Sequence, residues 1–167
     1  KLKNDQRIYY DSIQLSKSGN LIESLKKINF LISNNKKDYF IVETKADILL
    51  SYGYNKEAIK FYQRVLQAQP DNNYVKYNVF VNFTINQNDY IFNKDFFLNN
   101  LNLLKYFPNN KNILIKYYNL AKLIKYNEWI LFFETLLFKK EDAKQVFEQL
   151  NKQTEDYNLK KIIKLYN

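Results

Sequence analysis

Asp38–Asn72, DYFIVETKADILLSYGYNKEAIKFYQRVLQAQPDN, reads as one complete helix–turn–helix hairpin. Asp38 suits the N-cap of a first helix, and Phe40, Ile41, Ala46, Ile48, Leu49 and Leu50 supply its apolar residues. Gly53-Tyr54-Asn55 is the turn: glycine reaches φ > 0 without a Cβ penalty, and Asn55 can cap the second helix. Ala58, Ile59, Phe61, Tyr62, Val65 and Leu66 recur at helical spacing along that helix. Pro70 stands just past its end, where a missing N–H does no harm.

Working outward, the same plan recurs upstream. After a frayed start over residues 1–5, Ile8, Ser12 and Leu15 share one helical stripe, and Ser18-Gly19-Asn20 turns the chain. Leu21, Leu25, Ile28, Leu31 and Ile32 form the second stripe, with Asn20 and Glu23 spaced as a capping box. Gly19 and Gly53 stand 34 positions apart, as do Ser24 and Ala58, and Ile28 and Tyr62. Downstream, Tyr74, Tyr77, Phe80, Val81 and Phe83 mark a helix, and a longer turn runs over residues 86–93. Phe96, Phe97, Leu101, Leu104 and Phe107 mark its partner helix, ended by Pro108. A fourth pair carries Ile113, Leu114, Tyr117, Tyr118, Ala121 and Leu123, then Trp129, Ile130, Phe132, Phe133, Leu136 and Leu137. Lys125-Tyr126-Asn127 takes the place of Gly53-Tyr54-Asn55. Two short helices close the chain, one holding Ala143, Val146, Phe147 and Leu150, the other Tyr157, Leu159, Ile162, Ile163 and Leu165.

A period of about 34 residues with a helix–turn–helix in each unit, together with Ala58-x-x-x-Tyr62 and Pro70, resembles the tetratricopeptide repeat (TPR) family. Val42, Lys45, Ala46 and Leu49 stand where that pattern favours Trp, Leu, Gly and Tyr, and small Ala46 keeps the close helix approach. The resemblance implies an all-α fold, a right-handed superhelix of about four TPR-like hairpins with a C-terminal closing helix or helix pair. The expected organisation is a single domain, 1–167, with repeats at 5–38, 39–72, 73–110 and 111–140 and closing helices at 141–167. A compact helical bundle is the alternative arrangement.

Composition sets the classes of function. A chain of 167 residues with 46% hydrophobic and 17% aromatic residues can bury a core. Two glycines and two prolines favour helices over a sheet of many hairpins. With no Cys and no His, thiolate nucleophiles and the commonest general base and metal ligand are missing. Walker, GxGxxG and HExxH motifs are absent, so no catalytic site, cofactor or metal is expected. Glu43 and Asp47 share one helix face, the one carboxylate pair placed for acid–base work, and a solvated or partner-facing spot is the simpler reading. Net charge is +9, carried by lysine with only Arg7 and Arg64 as arginine. Abundant Asn, Lys, Ile and Tyr suit the coding sequence of an AT-rich bacterium, so the charge reads as compositional. The scarcity of arginine argues against nucleic acid as partner. Lysine pairs at 26–27, 36–37, 139–140 and 160–161 are placed on an outer face, where peripheral contact with an acidic protein or an anionic membrane surface is the functional alternative. No apolar run approaches the roughly 18 residues of a membrane span. The chain does not open on Met, as expected of a domain cut from a longer protein, with the cell envelope ahead of the cytoplasm as its place.

The resemblance also implies a concave face lined by the first helix of each hairpin. Its partner-binding positions are Tyr9, Ile13, Phe40, Glu43, Asp47, Tyr74, Tyr77 and Val81, flanked by Gln6, Lys17, Ser51, Ile85, Lys116 and Asn119. Tyr9, Tyr77 and Val81 serve equally well as core between hairpins. Some TPR domains grip chaperone C-terminal carboxylates with Lys and Asn at the two positions held here by Tyr9 and Ile13. The departure, with Glu43 and Asp47 in the next unit, argues against that ligand. The expected role is a non-catalytic scaffold binding an amphipathic or extended segment of another protein. Self-association is the structural alternative.

Overall fold

The computed structural model describes residues 2–35, 37–85 and 87–166, and every regular element among them is helical. The chain divides into two compact units, Lys1–Phe83 and Thr84–Asn167, so the division falls just ahead of the turn expected over residues 86–93, of which residues 90–93 are helical instead.

In the N-terminal unit, α1 (Leu2–Lys17) and α2 (Leu21–Asn34) form one hairpin, and α3 (Tyr39–Ser51) and α4 (Asn55–Ala68) form the next. α5 (Asn73–Asn82) packs against α4. α1 starts at Leu2, so the expected fraying over residues 1–5 is not seen from Leu2 onward. Gly19 and Gly53 take φ of 86° and 80°. Behind each, the next amide reaches back five residues, Asn20 to the Leu15 carbonyl and Tyr54 to the Leu49 carbonyl, which closes a Schellman motif. Asn20 caps α2 by accepting from the Glu23 amide at 3.4 Å, but the Glu23 carboxylate goes to Lys26 and not back to Asn20. Asn55 does not cap α4: Tyr54 holds that position without a side-chain bond, and Asn55 is the first helical residue.

Two layers of core arise from the apolar stripes. Ile28, Leu31, Ile41 and Ile48 join α2 to α3, with Ile8, Tyr9 and Ile13 of α1 packed on them. Val42, Ala46, Leu49, Ala58, Tyr62, Val65 and Val75 join α3, α4 and α5. Ala46 and Ala58 are both fully buried, and side chains this small let α3 and α4 approach closely. Ser24, at the repeat position of Ala58, is fully buried too, and its hydroxyl finds no hydrogen-bond partner among the described residues. Phe40, expected in the apolar stripe of its helix, is instead exposed.

The C-terminal unit holds α6 (Tyr90–Asn99), α7 (Leu103–Tyr106), α8 (Lys111–Leu123), α9 (Asn127–Phe138), a 3₁₀ turn at Lys140–Asp142, α10 (Ala143–Gln153) and α11 (Tyr157–Ile163). The expected single helix from Phe96 to Phe107 is broken between α6 and α7. The Asn100 side-chain amide donates to the Phe96 carbonyl at 2.7 Å, a side-chain alternative to the helical ladder. The Asn100 carbonyl accepts from the Tyr117 hydroxyl, while the Leu104 amide turns to Leu101 in a tighter turn. The core here is aromatic: Phe97, Tyr117, Trp129, Phe132, Phe133 and Phe147 are all nearly or fully buried. Trp129 donates its indole N–H to Asp156 at 2.7 Å, and Asp156 in turn caps α11. The Tyr166 hydroxyl closes on the Pro108 carbonyl at 2.6 Å.

The α8–α9 turn repeats the Schellman geometry, with Tyr126 reaching the Ala121 carbonyl. Its left-handed residue is Lys125, at φ 55°, the only non-glycine with positive φ among the described residues. A Cβ in that region is strained by about 1–2 kcal/mol. Lys125→Gly is therefore expected to stabilise the unit by about 0.5–1 kcal/mol once glycine's larger unfolded-state entropy is subtracted. Urea unfolding followed by Trp129 fluorescence reads the shift, and an unchanged or lowered midpoint would contradict it.

Candidate partner-binding groove

α1 and α3 lie side by side and run the same way. The Tyr9 and Thr44 hydroxyls are 3.3 Å apart, and further along the Tyr52 hydroxyl donates to the Ser16 carbonyl at 2.6 Å. On α1, Tyr9 and Ile13 are one turn apart; on α3, Phe40, Glu43 and Asp47 recur at helical spacing. These five residues line one cleft of about 340 Å3, completed by Ser16, Lys17, Thr44, Ile48 and Ser51. A second cleft, of about 590 Å3, opens beyond Tyr9 and Phe40 and is bounded by Asp5, Gln6, Tyr10, Leu31, Asn35, Asp38 and Ile41. The two share Tyr9 and Phe40, whose ring centroids stand 5.6 Å apart at a tilt of 37°.

The carboxylates of the groove are tied to α4 and α5. Asp47 Oδ1 accepts from the Tyr62 hydroxyl at 2.5 Å and from the Tyr74 hydroxyl at 3.0 Å. Glu43 Oε2 accepts from the Asn72 side-chain amide at 2.9 Å. Asn72 also caps α5 through the Val75 amide at 3.1 Å, so the start of α5 is anchored to α3 through side chains. Burial raises the Glu43 pKa; the Asn72 bond opposes that, and the nearby Asp47 charge adds to it. Burial, then the Asp47 charge, raises the Tyr74 pKa, and Tyr62 is driven far higher by burial and its Asp47 bond. Both phenols therefore stay protonated and keep donating. The Glu43–Asp47 pair acts as a set of hydrogen-bond acceptors that orders the wall of the groove. Among the described residues, no group of three or more His, Cys, Asp or Glu side chains is placed to hold a metal ion.

Other groove positions read from the sequence fall in several places. Gln6 lines the second cleft, and Lys17 and Ser51 the first. Tyr74 is about half exposed and reaches the groove through Asp47. Tyr77 and Val81 are half-buried on α5 and line neither cleft. Ile85 lies past the end of α5 and is not on the helix. Lys116 and Asn119 belong to α8 of the other unit; burial lowers the Lys116 pKa, and Asn119 is exposed. Asp38, Tyr10 and Thr44 contribute to the groove although the repeat register does not point to them.

Three lysines of these pairs meet local acids. Lys26 pairs with Glu23 at 2.6 Å, Lys27 with Asp11 at 3.4 Å and Lys139 with Glu134 at 3.8 Å. Lys36 and the Lys140 side chain lie outside the described residues. Among the described residues no helix is long and apolar enough to cross a membrane. No protein-family model matches this chain, and neither a curated protein nor a solved structure matches it.

Proposed function

We propose that this chain is a non-catalytic protein-interaction module of TPR-like hairpins, whose N-terminal unit holds a segment of a partner protein between α1 and α3. The observation that carries this reading is the convergence of Tyr9, Ile13, Phe40, Glu43 and Asp47 on one open cleft. The repeat reading is supported by three turns of one geometry, at Gly19, Gly53 and Lys125; the right-handed superhelix is part of the proposal. Rigid aromatics at the groove offer large contact area with few rotors to freeze. Peptide recognition needs such anchors beside polar groups that are already ordered, and the Tyr62, Tyr74 and Asn72 bonds supply that order to Glu43 and Asp47.

The test is affinity capture from the native source with wild type and a Tyr9→Ala/Phe40→Ala variant, and then binding measurements on the captured protein. Partner affinity is expected to fall about tenfold or more, with the circular dichroism of the helices retained. Unchanged capture by the variant would remove the groove assignment.

A further inference from the structure

We infer that the second cleft is a guanidinium site, which takes an arginine side chain of the segment lying in the groove; this rests on the groove reading of the function. Its walls include Tyr9, Tyr10 and Phe40, and among the described residues the charged ones that line it, Asp5 and Asp38, are acidic. Tyr10 and Phe40 are 66% and 61% exposed, so their ring faces are open to a ligand. Tyr9 stands between them, 5.6 Å from each ring centroid. Asp5 and Asp38 lie at the same cleft, in a chain whose net charge is +9. The described lining of this cleft is thus acidic in a basic molecule, with Lys37 on the adjoining cleft that shares Asn35, Asp38 and Phe40. Asp38 occupies the N-cap of α3, yet its side chain makes no capping hydrogen bond. It forms no ion pair among the described residues either. Among the described residues Asp5 has a single long contact, accepting from the Asn35 side-chain amide at 3.4 Å.

These features select a planar cation. A guanidinium stacks on an aromatic face while its N–H fork donates two parallel bonds to one carboxylate, and it is shed from water more readily than an ammonium. An apolar side chain in the same place would strip water from Asp5 and Asp38 without replacing it. An anionic one would be repelled. Because the two clefts share Tyr9 and Phe40, a segment lying along α1 and α3 can present one side chain to this cleft while its neighbours occupy the groove.

The probes are N-acetylarginine amide, its citrulline counterpart (the neutral analogue of arginine), and a capped eight-residue peptide with one arginine among leucines. Each is titrated into the full chain by NMR and calorimetry. Saturable shifts at Tyr10 and Phe40 are expected with the arginine probe, with the citrulline probe about tenfold weaker. Asp38→Asn keeps a good N-cap residue and is expected to weaken the arginine probe about fivefold, and Phe40→Leu by a similar factor. Ser51→Arg, at the other cleft, is expected to leave the small probe unchanged and to weaken the peptide. Equal binding of the arginine and citrulline probes, or no binding of either, overturns the site. If the small probe behaves as stated but Ser51→Arg leaves the peptide unaffected, the guanidinium site stands and the groove reading fails.

Discussion

Phe97→Ala is expected to destabilise the C-terminal unit by about 4 kcal/mol. Phe97 is fully buried and meets Tyr117, Tyr126, Trp129 and Phe133 edge-on, with ring centroids 5.1–6.3 Å away. The loss has three parts: the transfer free energy of the ring, the edge-to-face contacts, and a cavity. The cavity closes poorly, because the surrounding rings brace one another. Tyr117 and Phe133 stack within 6° of parallel, and Trp129 and Phe133 within 21°. The Tyr117 hydroxyl is further pinned to the Asn100 carbonyl. Trp129 is the only tryptophan and is 1% exposed, so its fluorescence tracks this unit in denaturant. Phe97→Leu keeps most of the volume and is expected to cost about 1–2 kcal/mol. A Phe97→Ala shift below about 1 kcal/mol would mean that these rings are not the core of the unit.

Tyr62 provides the matching experiment in the N-terminal unit, where ring and hydroxyl can be separated. Tyr62→Ala is expected to cost about 4 kcal/mol, because the fully buried ring joins α3, α4 and α5. Tyr62→Phe keeps the ring and removes only the bond to Asp47. Its expected cost is about 1–2 kcal/mol, since Asp47 retains the Tyr74 hydroxyl. Thermal or urea unfolding monitored by far-ultraviolet circular dichroism reads both. Equal losses for the two variants would show that the hydroxyl, and not the ring, carries the stability. Burial of these two phenols, with their Asp47 contacts, also sets an alkaline limit. In the folded chain the Tyr62 and Tyr74 pKa values are raised, whereas unfolded tyrosines ionise near pH ~10. Their contribution is complete below that pH and is lost as pH rises above it, because only the unfolded state then releases the protons.

Local physics made the hairpins legible. A glycine at φ > 0 with a five-residue return bond, and apolar residues at 3.6-residue spacing, are properties of short stretches. Gly19, Gly53, the buried stripes of α2 to α4, and the proline past α4 could therefore be read before any packing was known. Lys125 was legible by position alone: it sits where the plan calls for a left-handed residue, although its own chemistry disfavours one. Boundaries were less so, as Tyr54 in place of Asn55 at the cap of α4 shows.

The amino-acid order by itself determined that this chain is helical, with hairpins at α1–α2, α3–α4 and α8–α9, and that Tyr9 and Ile13, and Phe40, Glu43 and Asp47, recur at helical spacing. Only the tertiary structure decided what those faces meet. Asp47 binds hydroxyls 15 and 27 positions away. Tyr117 helps break a helix by taking a carbonyl 17 positions away. Phe40 stays at the surface beside Asp38, which caps nothing with its side chain. Such contacts depend on how whole helices are set against one another, and no short stretch of sequence carries a hydrogen bond whose partner lies on another helix.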